Sequence, residues 1–105
     1  MLILGSGNVT HNLRQAFSAA GRGDTTTPAW ARDFDAEAAR ALEAHDTRAL
    51  ARALAGDAGR MSHPTPDHYF PLLYVAGASD PGEPVRFPVT GFDLGSLSMR
   101  SAIVG

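Results

Sequence analysis

The chain has no cysteine and no lysine, and none of its apolar runs is long. The absence of cysteine excludes disulfide bonds, thiolate metal ligands and a cysteine nucleophile. All nine basic residues are arginines, they are scattered, and the formal net charge is −2. The sequence therefore lacks the basic patch that a nucleic acid or an anionic membrane would need. The longest apolar runs, 1–4 and 71–76, are far shorter than the roughly 20 residues that cross a bilayer.

The size and composition of the chain are those of one globular domain. It has 105 residues, of which 44% are hydrophobic and 19% charged, and it contains neither an internal repeat nor a linker. We therefore expect a single unit over residues 1–105. No basic region precedes the first apolar run, so we expect no signal peptide and a cytoplasmic location.

Local signals predict four helices. The first should run from about 9 to 20 with Asn8 as its N-cap, and Asp46 should cap a short helix that ends near Gly56. Thr27 and Thr65 each precede a proline, which is the pattern of an N-cap followed by the first helical residue. These two helices should end near residues 45 and 76, and Pro71 should kink the second.

Three segments predict strands. Met1–Leu4 is a continuous apolar run closed by glycines, which is typical of a strand buried on both faces of a parallel sheet. Segments 84–92 and 96–104 alternate apolar and polar residues. We therefore predict an α/β fold with a partial mixed or parallel sheet of about three strands and helices packed on it. The first strand is typical of a sheet interior, so we expect an incomplete portion of a larger domain, or docking to a missing half or a second copy.

Two histidines lie directly after local sequence features that often mark functional loops: a glycine-rich turn and a helix N-cap. His11 comes just after a strand and a glycine-rich turn, where ligands bind in open α/β sheets, and His68 follows the Thr65 cap. Each histidine taken alone is better explained as an idle surface side chain. Gly5–Asn8 could also cradle a phosphate, although it lacks the further glycine or lysine of known nucleotide motifs.

Three blocks of sequence carry a resemblance to a known family. They are SGNVTHNLR (6–14), HPTPDHYFPLLYVAGA (63–78) and GSLSMRSAIVG (95–105). In order and spacing they resemble the C-terminal segment of the class III extradiol ring-cleavage dioxygenases, in particular the 4,5-DOPA-dioxygenase-like branch. The resemblance covers residues 1–105.

This resemblance implies an enzyme that opens a catechol-type ring with O2 at a non-haem Fe(II) or Zn(II) centre. By the family's motifs, His68 is a metal ligand and His11 is a ligand or the acid/base, whereas His63 is not expected to be a ligand. Asn8 and Asn12 correspond to loop positions that shape the pocket. Tyr69 is a further pocket candidate that would suit the core as well.

The chain departs from the family in one respect. Family members have a longer N-terminal half that carries further active-site histidines, so only two of the family's ligands are present in these 105 residues. We therefore expect the chain alone to bind metal weakly and to turn over little or no substrate. The alternative is a non-catalytic, truncated relative that serves as a binding or assembly module.

Overall fold

Helices occupy most of the chain up to residue 77, and short strands follow. The computed structural model describes residues 1–105 and confirms the predicted α/β class. No helix combines the length and the apolar character needed to cross a membrane. The helices are α1 (Leu13–Gly21), α2 (Ala29–Glu43), α3 (Thr47–Arg52, followed by a 3-10 turn at Ala53–Ala55), α4 (Asp57–Ser62) and α5 (Phe70–Gly77). The strands are β1 (Val85–Arg86), β2 (Phe92–Asp93), β3 (Leu97–Ser98) and β4 (Ile103–Val104).

Helix α2 supplies the centre of the core. Apolar residues recur along it at spacings of three and four, which places Phe34, Ala38, Ala41 and Leu42 on one buried face. This face packs against α3 and α4, and Leu50 of α3 is 1% exposed. The alanine-rich middle of the chain is therefore the scaffold on which the flanking loops rest.

The predicted helix starts are partly correct. Asp46 caps α3, since its carboxylate accepts a hydrogen bond from the Ala49 N–H at 2.9 Å. The predicted Asn8 cap is wrong, because the Asn12 side chain caps α1 by accepting from the Gln15 N–H at 3.1 Å. Helix α2 begins one residue later than predicted, after Pro28. Helix α4 was not predicted.

The predicted helix from residue 66 with a kink at Pro71 is also wrong. Residues 64–69 form bends and turns, and α5 begins only at Phe70. Pro71 therefore lies in the first turn, where the missing N–H would have had no helical partner. As a consequence, His68 lies in the turn before the helix and not on the helix itself.

The two predicted C-terminal strands each divide into two short ones. Strand β1 pairs with β4 and β2 pairs with β3, and both pairs are antiparallel rather than parallel or mixed. A short turn joins the two segments, and such a turn permits antiparallel pairing only. Leu94 and Gly95 form this turn with positive φ angles of 49° and 77°. We call residues 84–105 the ribbon.

A bulge interrupts the ribbon near Pro88. The pairing register shifts by one residue between the β2·β3 pair and the β1·β4 pair, which is what an extra residue on one strand produces. Backbone bonds still connect the two halves, since Met99 N–H donates to Gly91 O at 2.8 Å and Ser101 N–H donates to Val89 O at 3.0 Å. Because proline has no N–H, it cannot take part in a continuous ladder.

The first apolar run is not a buried strand in this structure. Residues 1–7 make no backbone–backbone hydrogen bond, and Leu2 and Leu4 are 81% and 85% exposed. No other segment of the chain pairs with this run, so the predicted parallel strand does not form. Gly5 and Gly7, which follow this run, pack closely against the backbone of residues 68–71. A Cβ at Gly7 would clash with the carbonyl oxygen of His68.

Candidate functional site

The side chains of His11 and His68 are in contact. Their ring centroids are 3.6 Å apart and the ring planes differ by 23°, so the two imidazoles are stacked. His11 belongs to the loop that precedes α1, and His68 belongs to the turn that precedes α5. The fold thus brings together the two histidines on which the sequence-based hypothesis depends.

Hydrogen bonds from the ribbon hold one side of the His11 loop, which we define as residues 8–12. The Thr10 hydroxyl donates to Ser96 O at 2.7 Å and accepts from the Ser98 N–H at 2.8 Å. The Asn8 amide donates to Ser98 O at 3.0 Å. Thr10 is fully buried, so these bonds are shielded from water and fix the loop against the ribbon.

The end of α4 holds the other side of the same loop. The His11 N–H donates to Ser62 O at 2.9 Å, and the Asn12 amide donates to Met61 O at 2.6 Å. Asn12 is 6% exposed, and its side chain also caps α1. Both amide groups of the predicted pocket residues, Asn8 and Asn12, are therefore engaged by backbone groups of the protein itself.

The turn that carries His68 is fixed by its neighbours. The Asn8 N–H donates to His68 O at 2.9 Å, and the next residue, Tyr69, is completely buried with its hydroxyl donating to Leu50 O at 2.8 Å. Burial raises the pKa of Tyr69 to about 12. The Tyr69 side chain thus lies in the core and anchors the turn, which is the alternative to a pocket role that the sequence left open.

The electrostatics of the site favour a neutral imidazole at His11. Partial burial lowers the pKa of His11, and the neighbouring His68 lowers it further, because two stacked cations would repel each other. His11 is therefore mainly uncharged at neutral pH. A neutral imidazole presents one nitrogen that can bind a metal ion or accept a proton.

A buried ion pair connects the ribbon to α2. Arg100 donates to both carboxylate oxygens of Asp35 at 3.0 and 2.7 Å, and the Ser98 hydroxyl donates to the same carboxylate at 2.5 Å. The guanidinium lies 4.7 Å from the centroid of the Phe87 ring. This network was not predicted from the sequence, although an aspartate next to Phe34 on the apolar face of α2 is a signal for a buried ion pair.

A cleft of about 260 Å³ opens beside His68. The backbone of residues 5–9 forms one wall, and Pro71, Leu72 and Val75 form another. Arg100 also reaches the cleft, although its charge is largely balanced by Asp35. The cleft borders His68 and not His11.

The donors in this chain fit part of a metal site. No cluster of three or more histidine, cysteine, aspartate or glutamate side chains occurs in the structure, so the pair of imidazoles stands alone. Protein sites for zinc and non-haem iron use three or more protein ligands. The two histidines therefore suit two positions of such a site and do not complete it.

Comparison with known proteins places this geometry in context. No family model matches the chain. It is 41% identical to 4,5-DOPA dioxygenase extradiol of Escherichia coli K12 in an alignment that covers 100% of this chain and 39% of the relative. Among solved structures it is similar to an uncharacterized protein from Escherichia coli K12, with a TM-score of 0.81 and 42% identity over 92% of this chain and 40% of that one.

The chain thus spans about two fifths of the length of each relative that it matches. The alignment includes all three blocks on which the predicted resemblance depends, since it covers the whole chain. Over its whole length the chain is therefore similar to one segment of 4,5-DOPA dioxygenase extradiol.

Proposed function

We propose that this chain forms part of an extradiol dioxygenase, which opens the ring of a catechol-type substrate with O2 at a non-haem metal ion. The contact between His11 and His68 carries the proposal, because the two rings come from distant parts of the chain and stack at 3.6 Å. The loop and the turn that hold them are fixed by a dense set of hydrogen bonds. The name of the E. coli relative, 4,5-DOPA dioxygenase extradiol, supports the same chemistry.

The two histidines would have different roles in the site. His68 would hold the metal, and His11 would be either a second ligand or the base. When bound, the metal ion would supply the redox and Lewis-acid chemistry that allows O2 to react with a catecholate. As a base, neutral His11 would take the proton from a phenolic hydroxyl of the substrate. Asn8 and Asn12 would act by holding the loop, since their amides already bond to the backbone.

The remaining donors would come from polypeptide outside these 105 residues. Two observations support this proposal: the chain offers only two clustered donors, and it spans 39% of the relative's length. The exposed apolar run Met1–Leu4 would then be covered by the same polypeptide, which would pair with its free backbone groups. The chain alone would bind metal weakly and would turn over little substrate.

The first test is calorimetric titration of the chain with Fe(II) under argon. We expect weak binding that is lost in His68→Ala. The variant His11→Ala loses binding if His11 is a ligand and retains it if His11 is the base. His45→Asn is the matched control, because His45 lies away from the pair and bonds to Glu83 O. Binding that is equally strong in wild type and in both alanine variants would refute the assignment of the site.

The second test restores the remainder of the family's domain. The chain is co-expressed with a polypeptide that corresponds to the rest of the E. coli relative, and a catechol is supplied in air. We expect a yellow ring-opened product that disappears in His11→Ala and in His68→Ala. A stable complex that binds metal without forming this product would favour a non-catalytic binding or assembly module instead.

A further inference from the structure

One histidine of the motif block 63–78 has no part in the proposed chemistry. His63 follows the last residue of α4 and is only 6% exposed. Its ring packs against Tyr69, with 5.1 Å between centroids, and against Phe34, with 5.6 Å between centroids. It therefore lies beneath the turn that carries His68, on the side of the core.

The same ring also bonds to the His11 loop. Its Nε2 is 2.7 Å from Val9 O, and a carbonyl oxygen can only accept. Nε2 must therefore carry the proton, while Nδ1 is buried without a hydrogen-bond partner. Burial lowers the pKa of His63, which keeps the ring in this neutral form.

His63 occupies a position that no other side chain duplicates. The backbone carbonyls of Met61 and Ser62 hold Asn12 and His11, whereas the His63 side chain holds the carbonyl two residues before His11. At the same time its ring packs on the residue directly after His68. One side chain thus contacts both segments that carry the stacked pair.

We propose that His63 is a positioning residue that sets the distance and orientation between His11 and His68. The hydrogen bond to Val9 O fixes the His11 loop, and the ring contact with Tyr69 fixes the turn of His68. The consequence for metal binding rests on the proposed function, but the geometric claim about the two rings does not.

The test compares two substitutions of similar size that differ in the hydrogen bond. Gln at position 63 retains an N–H donor, and Met does not, so His63→Met should release Val9 O whereas His63→Gln should retain it. His45→Asn is the matched control, since it replaces another imidazole that bonds to a backbone carbonyl, that of Glu83. Urea unfolding establishes that each variant is folded before it is compared.

The main readout is the imidazole NMR spectrum of the metal-free chain. Stacking shifts the ring protons of His11 and His68. We expect His63→Met to abolish these shifts, His63→Gln to retain part of them because it keeps the donor but not the ring, and His45→Asn to preserve them. Folded His63→Met with unchanged His11 and His68 signals would overturn the proposal. In the wild type, ring ¹⁵N shifts should show His63 with its proton on Nε2; the Nδ1–H tautomer would overturn the proposal even if His63→Met failed to fold.

Titration with Zn²⁺ separates this proposal from the proposed function. We expect about tenfold weaker binding in His63→Met, the usual effect of losing a residue that orients a ligand, and a smaller loss in His63→Gln. Wild-type binding in folded His63→Met would overturn the positioning role while the metal site stands. If the wild-type chain does not bind Zn²⁺, the metal site is refuted. The positioning role is still upheld in that case if the His63 variants change the ring-proton shifts of His11 and His68 as expected.

Discussion

Removal of the Asp35 carboxylate should be among the most destabilising single changes in this chain. Asp35 is 5% exposed and accepts three hydrogen bonds, two from Arg100 and one from Ser98. The variant Asp35→Ala leaves the guanidinium, whose side chain is 15% exposed, without its counter-charge. It also frees the ribbon from α2, and the ribbon in turn holds Thr10 and Asn8 of the His11 loop.

The size of the effect follows from the burial of the pair. Loss of one partner of a buried ion pair costs about 3–5 kcal/mol, because the other charge stays uncompensated. A chain of this length is stable by about 5–15 kcal/mol, so the variant would lose a large fraction of its stability. With a urea m-value of about 1.5 kcal/mol/M, the unfolding midpoint should fall by about 2–3 M.

Urea unfolding followed by circular dichroism measures this shift. Asp57→Ala serves as the control, since it removes an acid whose side chain is 99% exposed and should leave the midpoint unchanged. The double variant Asp35→Leu/Arg100→Met should recover much of the loss, because apolar residues can replace a buried pair. A loss below about 1 kcal/mol in Asp35→Ala would refute this account of the network.

Three further predictions concern the site and its supports. Tyr69→Phe should lower the free energy of unfolding by about 1 kcal/mol, because a buried carbonyl loses its donor; urea unfolding measures this. Burial lowers the pKa of His63 below the unfolded value of 6.5, so the unfolded chain binds the proton more readily. Stability should therefore be full above about pH 6.5 and fall as the pH decreases through that value, and His63→Gln should flatten urea midpoints measured between about pH 7.5 and 5. Gly7→Ala should displace the segment that crosses His68, since the added Cβ would lie 2.1 Å from a carbonyl oxygen. It should abolish the ring-stacking NMR shifts, whereas Gly77→Ala, which meets nothing within 4 Å, should preserve them.

The correct parts of the sequence-based fold depend on local chemistry. Asp46 was identified as a cap because a carboxylate directly before a helical run is a favoured N-cap. The start of α1 was placed too early because Asn8 and Asn12 are both good caps, and only contacts with the ribbon decide between them. Pro71 was assigned to a helix interior because the turns at 64–69 have no local signal that distinguishes them from a first helical turn.

The features of the candidate site that depend on long-range contacts could not be predicted from the sequence. The motif blocks identified His11 and His68, but periodicity could not show that their rings would touch, because distant segments fix both loops. Asp35 and Arg100 lie in different elements and meet only in the folded chain. The sequence also could not show that Met1–Leu4 has no pairing strand. A strand is recognised from its own residues, whereas its pairing partners lie elsewhere in the chain.

Asn8 connects three separate stretches of the chain. Its amide bonds to Ser98 O and its backbone N–H bonds to His68 O, while its own segment leads into the loop of His11. The ribbon therefore cannot open at residue 98 without loosening the backbone that carries both rings, and these parts should unfold locally as one cooperative unit. Any ion or small molecule that binds across the rings would, by mass action, slow amide hydrogen exchange at Ser98, although that residue itself need not touch the ligand.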